Sequence, residues 1–138
     1  MKMKCFASVL MVCLMSGAVF SAAALQPDLT VSKVKVDSTK ACNNGKVIVL
    51  YTVKNTGKTV SPASIAKISE NSGKEKIIST PSIPSLGPGA SYSGQAVYTA
   101  TSKKNYRFSA TVDYTNQINE SNEINNQNSV SFSFGKAF

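Results

Sequence analysis

The residues best suited to chemistry lie in one short stretch, Asp113 to Asn126. There Asp113, Asn116, Glu120, Asn122 and Glu123 bring hard oxygen donors together within a turn-rich segment. Such a set suits calcium, which takes about six to eight oxygens in a flexible geometry. The spacing departs from an EF-hand loop, whose sharp turn needs a central glycine that this stretch lacks. The same residues have a structural reading. Asparagine side chains bond nearby backbone, and Glu120 or Glu123 accepts backbone N–H groups or pairs with a lysine at the rim. As a glycosidase pair, Glu120 and Glu123 would need a deep cleft, which a domain of this size does not offer.

Other chemistries are excluded by what is missing. The sequence contains no histidine, so a Ser/His or Cys/His nucleophile and an imidazole-ligated zinc cannot be built. No glycine-rich phosphate loop opens a helix. No cofactor is expected. The short cluster Lys103, Lys104 and Arg107 is the candidate binding patch, suited to an anionic surface. Without interleaved exposed aromatics it is a poor nucleic-acid site.

Residues 1–24 read as a signal peptide. Lys2 and Lys4 precede an apolar run from Cys5 to Phe20, and Ala22 to Ala24 offer a small-residue cleavage site. The run is too short and wrongly flanked for a membrane span, so the mature form, residues 25–138, is expected to be exported, periplasmic or extracellular, and not membrane-spanning. Loss of Lys2 and Lys4 takes the 15 basic residues to 13 against 7 acidic ones, a net charge of +6. Cys5 and Cys13 leave with the leader. Cys42 then stands alone, either buried as a small apolar residue or exposed as a free thiol, so the chain is expected as a monomer or a Cys42-linked dimer.

The elements that must position the acidic stretch are strands. Tyr106, Phe108, Ala110, Val112 and Tyr114 alternate with polar residues, and Val130, Phe132 and Phe134 repeat the pattern after the loop Thr115 to Asn128, so the two runs form a hairpin. Their aromatics are assigned to the core, and only Ile118 and Ile124 are available to anchor the loop. Upstream, Asp28 to Asp37 slips phase between Val31 and Val34, which predicts a bulge. Lys33 and Lys35 there guard an exposed sheet edge. Lys46 to Asn55 is apolar on both faces and reads as a central strand. Lys74 to Thr80 is a short edge strand, the proline-rich Thr80 to Ala90 is an extended crossover plugged by Ile83 and Leu86, and Ser91 to Ala100 is a further strand in which Gly94 marks a close backbone approach. The class is all-β, an immunoglobulin-like antiparallel β-sandwich of about seven strands in two sheets, with Tyr106 placed to form a tyrosine corner.

Three segments carry a family resemblance: PDLTVSKVKVD near the start of the mature chain, LYTVKNTGK (Leu50 to Lys58), and TVDYTNQINESNEINN (Thr111 to Asn126), with LGPGAS between the second and third. The chain resembles the CARDB family, the cell adhesion related domain found in bacteria, over most of Pro27 to Phe134. That resemblance implies a seven-stranded immunoglobulin-like module of exported or surface proteins with no general catalytic activity. The expected function is an exported, non-catalytic binding or adhesion module contacting a protein or surface glycan. The alternatives are a secreted effector-like protein whose basic face binds anionic lipid or acidic glycan, and a calcium-stabilised structural domain.

Overall fold

The computed structural model describes residues 24–37, 45–102 and 105–134. Its elements in chain order are β1 (Leu29–Asp37), β2 (Lys46–Asn55), β3 (Ser64–Ile65), β4 (Lys67–Glu70), β5 (Lys76–Ser79), β6 (Ser82–Ile83), β7 (Ser91–Thr99), β8 (Asn105–Thr111) and β9 (Gln127–Ser133). A three-stranded sheet, β1-β2-β7, faces a four-stranded sheet, β5-β4-β8-β9, and a two-stranded patch, β3-β6, lies beside them. All pairings are antiparallel. The chain is therefore an all-β, immunoglobulin-like sandwich, and among the described residues no helix is long and apolar enough to cross a membrane.

The period-two pattern sets which side chains meet between the sheets. Val47, Val49, Tyr51 and Val53 of β2 point inward, opposite Tyr106, Phe108 and Ala110 of β8, and all of them are buried. Ile68, Ile83 and Leu86 complete the interior, so the crossover plugs one end as expected. Tyr98 meets Tyr106 and Phe108 edge-on, with ring centroids 5.6 and 5.5 Å apart. Gly94 sits opposite Tyr51 in the ladder, and a Cβ there would overlap the Tyr51 hydroxyl, so the glycine gives the ring its place. The predicted bulge falls between Val31 and Lys33.

Three placements differ from the sequence pattern. Tyr114 is 40% exposed and Ile124 92% exposed, so neither belongs to the core. The strand ends at Thr111 and the inward alternation at the buried Val112, and Asp113 turns the backbone with a φ of 44°, which takes Tyr114 off the inner face. Ile118 alone of the two isoleucines anchors the long loop. Ser109, on the polar face of β8, is buried because β8 lies inside its sheet, and it meets Ser69 Oγ at 2.9 Å and accepts from Asn71 Nδ2 at 2.6 Å.

The Tyr106 hydroxyl donates to the Ser102 carbonyl at 2.8 Å, which makes the expected tyrosine corner. Tyr106→Phe leaves the packing intact and removes that bond, so urea unfolding is expected to show a loss of about 1–2 kcal/mol. Phe108→Ala opens a cavity at the centre and is expected to cost about 3–5 kcal/mol. Equal effects of the two would show that ring packing does not dominate this core.

Candidate functional site

The acidic stretch folds onto its own backbone. Asp113 and Asn116 both adopt positive φ, 44° and 51°, which these residue types tolerate. The Asp113 carboxylate accepts from the N–H groups of Gln117 at 3.2 Å and Ile118 at 2.9 Å, and its carbonyl accepts from Asn116 N at 2.8 Å. These bonds steer Ile118 into the core. Val112 N donates to the Asn126 carbonyl at 2.8 Å and closes the loop at its neck.

Glu120 then reaches across the end of the sandwich. Its Oε2 accepts the Leu29 N–H at 2.6 Å and its Oε1 accepts from Asn126 Nδ2 at 3.3 Å, while Glu120 N donates to Glu123 Oε1 at 2.9 Å. Around it, Ser121 N donates to the Pro27 carbonyl at 3.0 Å, and Asn125 Nδ2 donates to Asp28 Oδ1 at 2.8 Å. The loop thus grips the three residues that lead into β1.

A second hand grips them from the other side. Asn55, at the end of β2, is fully buried, and its side chain makes four bonds: Oδ1 accepts from Asp28 N at 3.1 Å and Gly57 N at 2.9 Å, while Nδ2 donates to the carbonyls of Thr59 and Leu86, both at 2.8 Å. Thr56 N donates to the Asp28 carbonyl at 2.7 Å and Lys58 N to that of Gln26 at 3.0 Å. Gly57 lies so close to this segment that a Cβ would come within 2.5 Å of Asp28 N and Pro27 C, both backbone atoms with no freedom to give. The NTG turn is a clamp as well as a turn.

Burial pushes the Glu120 carboxyl up to about 7; the neighbouring charges of Glu123 and Asp113 add to the rise, and the bonds from Leu29 and Asn126 oppose it. A raised carboxyl can mark an acid catalyst. Here both oxygens face protein donors, and the hollow beside the loop, about 260 Å³ and lined by residues such as Ser64, Ile65, Asp113 and Gln117, does not include Glu120.

Four of the five oxygen-bearing residues are engaged by backbone N–H groups of the chain itself. Asp113, Glu120 and Glu123 hold backbone N–H groups, and Asn122 Oδ1 accepts from Ile124 N at 3.1 Å. Among the described residues, no three His, Cys, Asp or Glu side chains are grouped to hold a metal ion. Arg107 is exposed on β8 and donates to Ser129 Oγ at 3.1 Å. Lys103, Lys104 and Cys42, like residues 1–23, which hold most of the expected signal peptide, lie outside the described residues. Asp28 and Asn55 were not singled out by spacing. The available signal was an asparagine, with four bonding positions, as the last residue of an apolar strand.

An immunoglobulin-like module with a polar clamp at one end is the class this geometry defines. The family model for CARDB matches residues 26–130, and the chain belongs to the CARDB family. The CARDB domain of a Pyrococcus furiosus protein, solved in complex with di-metal ions, is 28% identical with a TM-score of 0.67 and covers 80% of this chain and 96% of its own. A domain of a Methanosarcina acetivorans protein named for the cell surface is 22% identical with a TM-score of 0.65, covering 82% of this chain and 96% of its own, and shares the fold. No curated protein matches the chain. The three segments that carried the sequence resemblance are the ones that meet at the clamp.

The folded chain holds the Glu120 proton more tightly than the unfolded chain, whose carboxyl titrates near 4.5. Raising the pH between about 4.5 and 7 therefore withdraws stability from the native state through this group. Glu120→Gln removes the effect while keeping an acceptor for Leu29 N–H. Relative to the unsubstituted chain, it is expected to gain about 2–3 kcal/mol in urea unfolding on going from pH 5 to pH 8. A difference that stays constant across that range would show that Glu120 ionises as a solvated carboxyl does.

Proposed function

We propose that this chain is an exported binding or adhesion module, without catalytic activity of its own, that contacts a protein or a surface glycan. The observation that carries the reading is the engagement of Asp113, Glu120 and Glu123 by backbone N–H groups: neither glutamate lines the hollow beside the loop, and Asp113, which does, has both carboxylate oxygens bonded to Gln117 and Ile118 N–H. Membership of a family of non-catalytic modules supports it, as does a structural neighbour named for the cell surface. A resident cation is not part of this reading. The Pyrococcus furiosus domain is described with two metal ions; in this chain the carboxylates of Asp113, Glu120 and Glu123 accept backbone N–H bonds.

A second reading is favoured by one feature of the β1-β2-β7 sheet. Lys33, Lys35, Thr52, Ser93 and Gly94 line a shallow groove of about 170 Å³ floored by Leu50 and Tyr51. Two ammonium groups beside two hydroxyls suit an anionic lipid headgroup or an acidic glycan. Arg107 lies on the other sheet, so the basic side chains form two faces rather than one patch.

Titration of the purified chain against isolated surface glycan and surface protein is expected to saturate, with no turnover of aryl glycosides. Glycoside turnover lost in Glu120→Gln or Glu123→Gln would overturn the non-catalytic reading. For the second reading, charge reversal of Lys33 and Lys35 is expected to weaken binding to heparin or anionic vesicles at low salt by about tenfold or more, at about 1 kcal/mol for each lysine. Absence of such binding in the unsubstituted chain removes that reading.

A further inference from the structure

The two flanks of the sandwich are finished differently. On one flank β1 and β9 come together, and side chains close the gap: Asn128 Nδ2 donates to the Val31 carbonyl at the bulge at 3.1 Å, and Thr30 Oγ1 donates to the Asn125 carbonyl at 3.1 Å. Lys33 and Lys35 guard the rest of β1. On the other flank β5 is four residues long and carries Lys76, with Lys67 and Glu75 paired beside it at 2.8 Å. These are the usual protections of a sheet edge: short length, bulges and lysines.

β7 has none of them. It runs nine residues, SYSGQAVYT, with no charge, no proline and no bulge in its ladder with β2, and among the described residues β2 is its one strand partner. The ladder fixes which backbone groups are free. Asn55 N donates to the Ala90 carbonyl and Ala100 N to the Gly45 carbonyl, so the hydrogen-bonded pairs of this antiparallel ladder fall on even positions of β7. The N–H and C=O groups of Ser93, Gln95 and Val97 therefore point away from β2, along an open edge. Val97 is also 51% exposed.

The geometry points to this edge as the contact with a second copy of the same chain, two β7 strands pairing antiparallel about Gln95. This contact is independent of the partner proposed above. The free groups recur at odd positions on both sides of Gln95, so a two-fold axis there pairs Gln95 with Gln95, Ser93 with Val97 and Ser91 with Thr99 through backbone bonds. The intervening pairs bring Tyr92 opposite Tyr98 and Gly94 opposite Ala96, an aromatic pair next to two small residues. The result is a continuous six-stranded sheet. Charge does not oppose it: Lys46 and Lys54 on β2 are separated from those of the other copy by three strand spacings, about 14 Å, against a screening length of about 8 Å at physiological salt, and Lys76 of β5, whose ammonium lies 5.4 Å from the Tyr98 ring centroid, faces Tyr92 of the other copy rather than that copy's Lys76. A strand whose own residues carry no charge also offers a charged foreign peptide little to pair with, which favours self-pairing.

The test uses the full 138-residue sequence, expressed and purified under reducing conditions so that Cys42 cannot link copies. Sedimentation velocity is expected to show a dimer that dissociates on dilution. Gln95→Pro removes an N–H that faces away from β2, a position an edge strand tolerates, and is expected to weaken association about a hundredfold while the thermal midpoint stays within a few degrees. Amide hydrogen exchange on the unsubstituted chain gives a readout that needs no variant. Ser93, Gln95 and Val97 are expected to gain protection as concentration rises, whereas Gly94 and Ala96 are protected throughout. A chain that sediments as a monomer at every concentration, including one whose β7 pairs only with an added extended peptide, would overturn the proposal. So would a dimer in which those three amides exchange at the monomer's rate.

Discussion

The start of β1 is held by polar bonds from two loops, and the end of the sandwich depends on that grip. Asp28 and Leu29 donate their N–H groups to Asn55 and Glu120, and Pro27 and Asp28 accept from Ser121, Thr56 and Asn125. No disulfide within residues 24–138 does the same work, since Cys42 is the one cysteine among them. A strand at a sheet edge otherwise has one neighbour to hold it, and its first residues fray. Here Asp28 has a clamp on each side, with Asn125 on one carboxylate oxygen and Thr56 Oγ1 on the other at 2.9 Å.

That grip explains why so polar a loop is ordered and why its polar groups are a poor place to look for chemistry. Glu120 lies in a low-dielectric setting, where its bonds to Leu29 and Asn126 are stronger than they would be in water and its charge is harder to maintain. The two effects pull in opposite directions, and desolvation prevails, since the carboxyl rises to about 7. A group so placed serves as a pH-sensitive strut. In the proposed binding module, recognition falls to the flanks and outer faces, where the strands present backbone edges and lysines.

Much of this architecture is legible in the residues. Period-two alternation from Tyr106 to Val112 assigns core residues of β8, the apolar run Lys46 to Asn55 marks β2 as the central strand, the phase slip after Val31 marks the bulge, and the spacing of Tyr106 from the preceding turn marks the corner. Alternation fails where the strand ends, because it carries no information about a positive φ, and Tyr114 departs from the pattern for that reason. Ile124 failed similarly, its apolar character being outvoted by the Asn122 turn that points it to solvent. The clamp was legible only in part. The asparagines announced side-chain to backbone bonding, yet the partners lie up to 97 residues away in sequence, as for Asn125 and Asp28, and pattern within a window cannot see across that distance.

The central claim, that the two loops and the start of β1 form one cooperative unit, is most directly tested by native-state hydrogen exchange at the Leu29, Thr56, Lys58 and Ser121 amides. All four donate within the clamp. They are predicted to open together, with one free energy close to that of global unfolding, and Asn55→Asp, which turns the two Nδ2 donors into an acceptor facing two carbonyls, is predicted to lower all four by the same amount. Fast exchange at Leu29 with slow exchange at Ser121 would contradict the account.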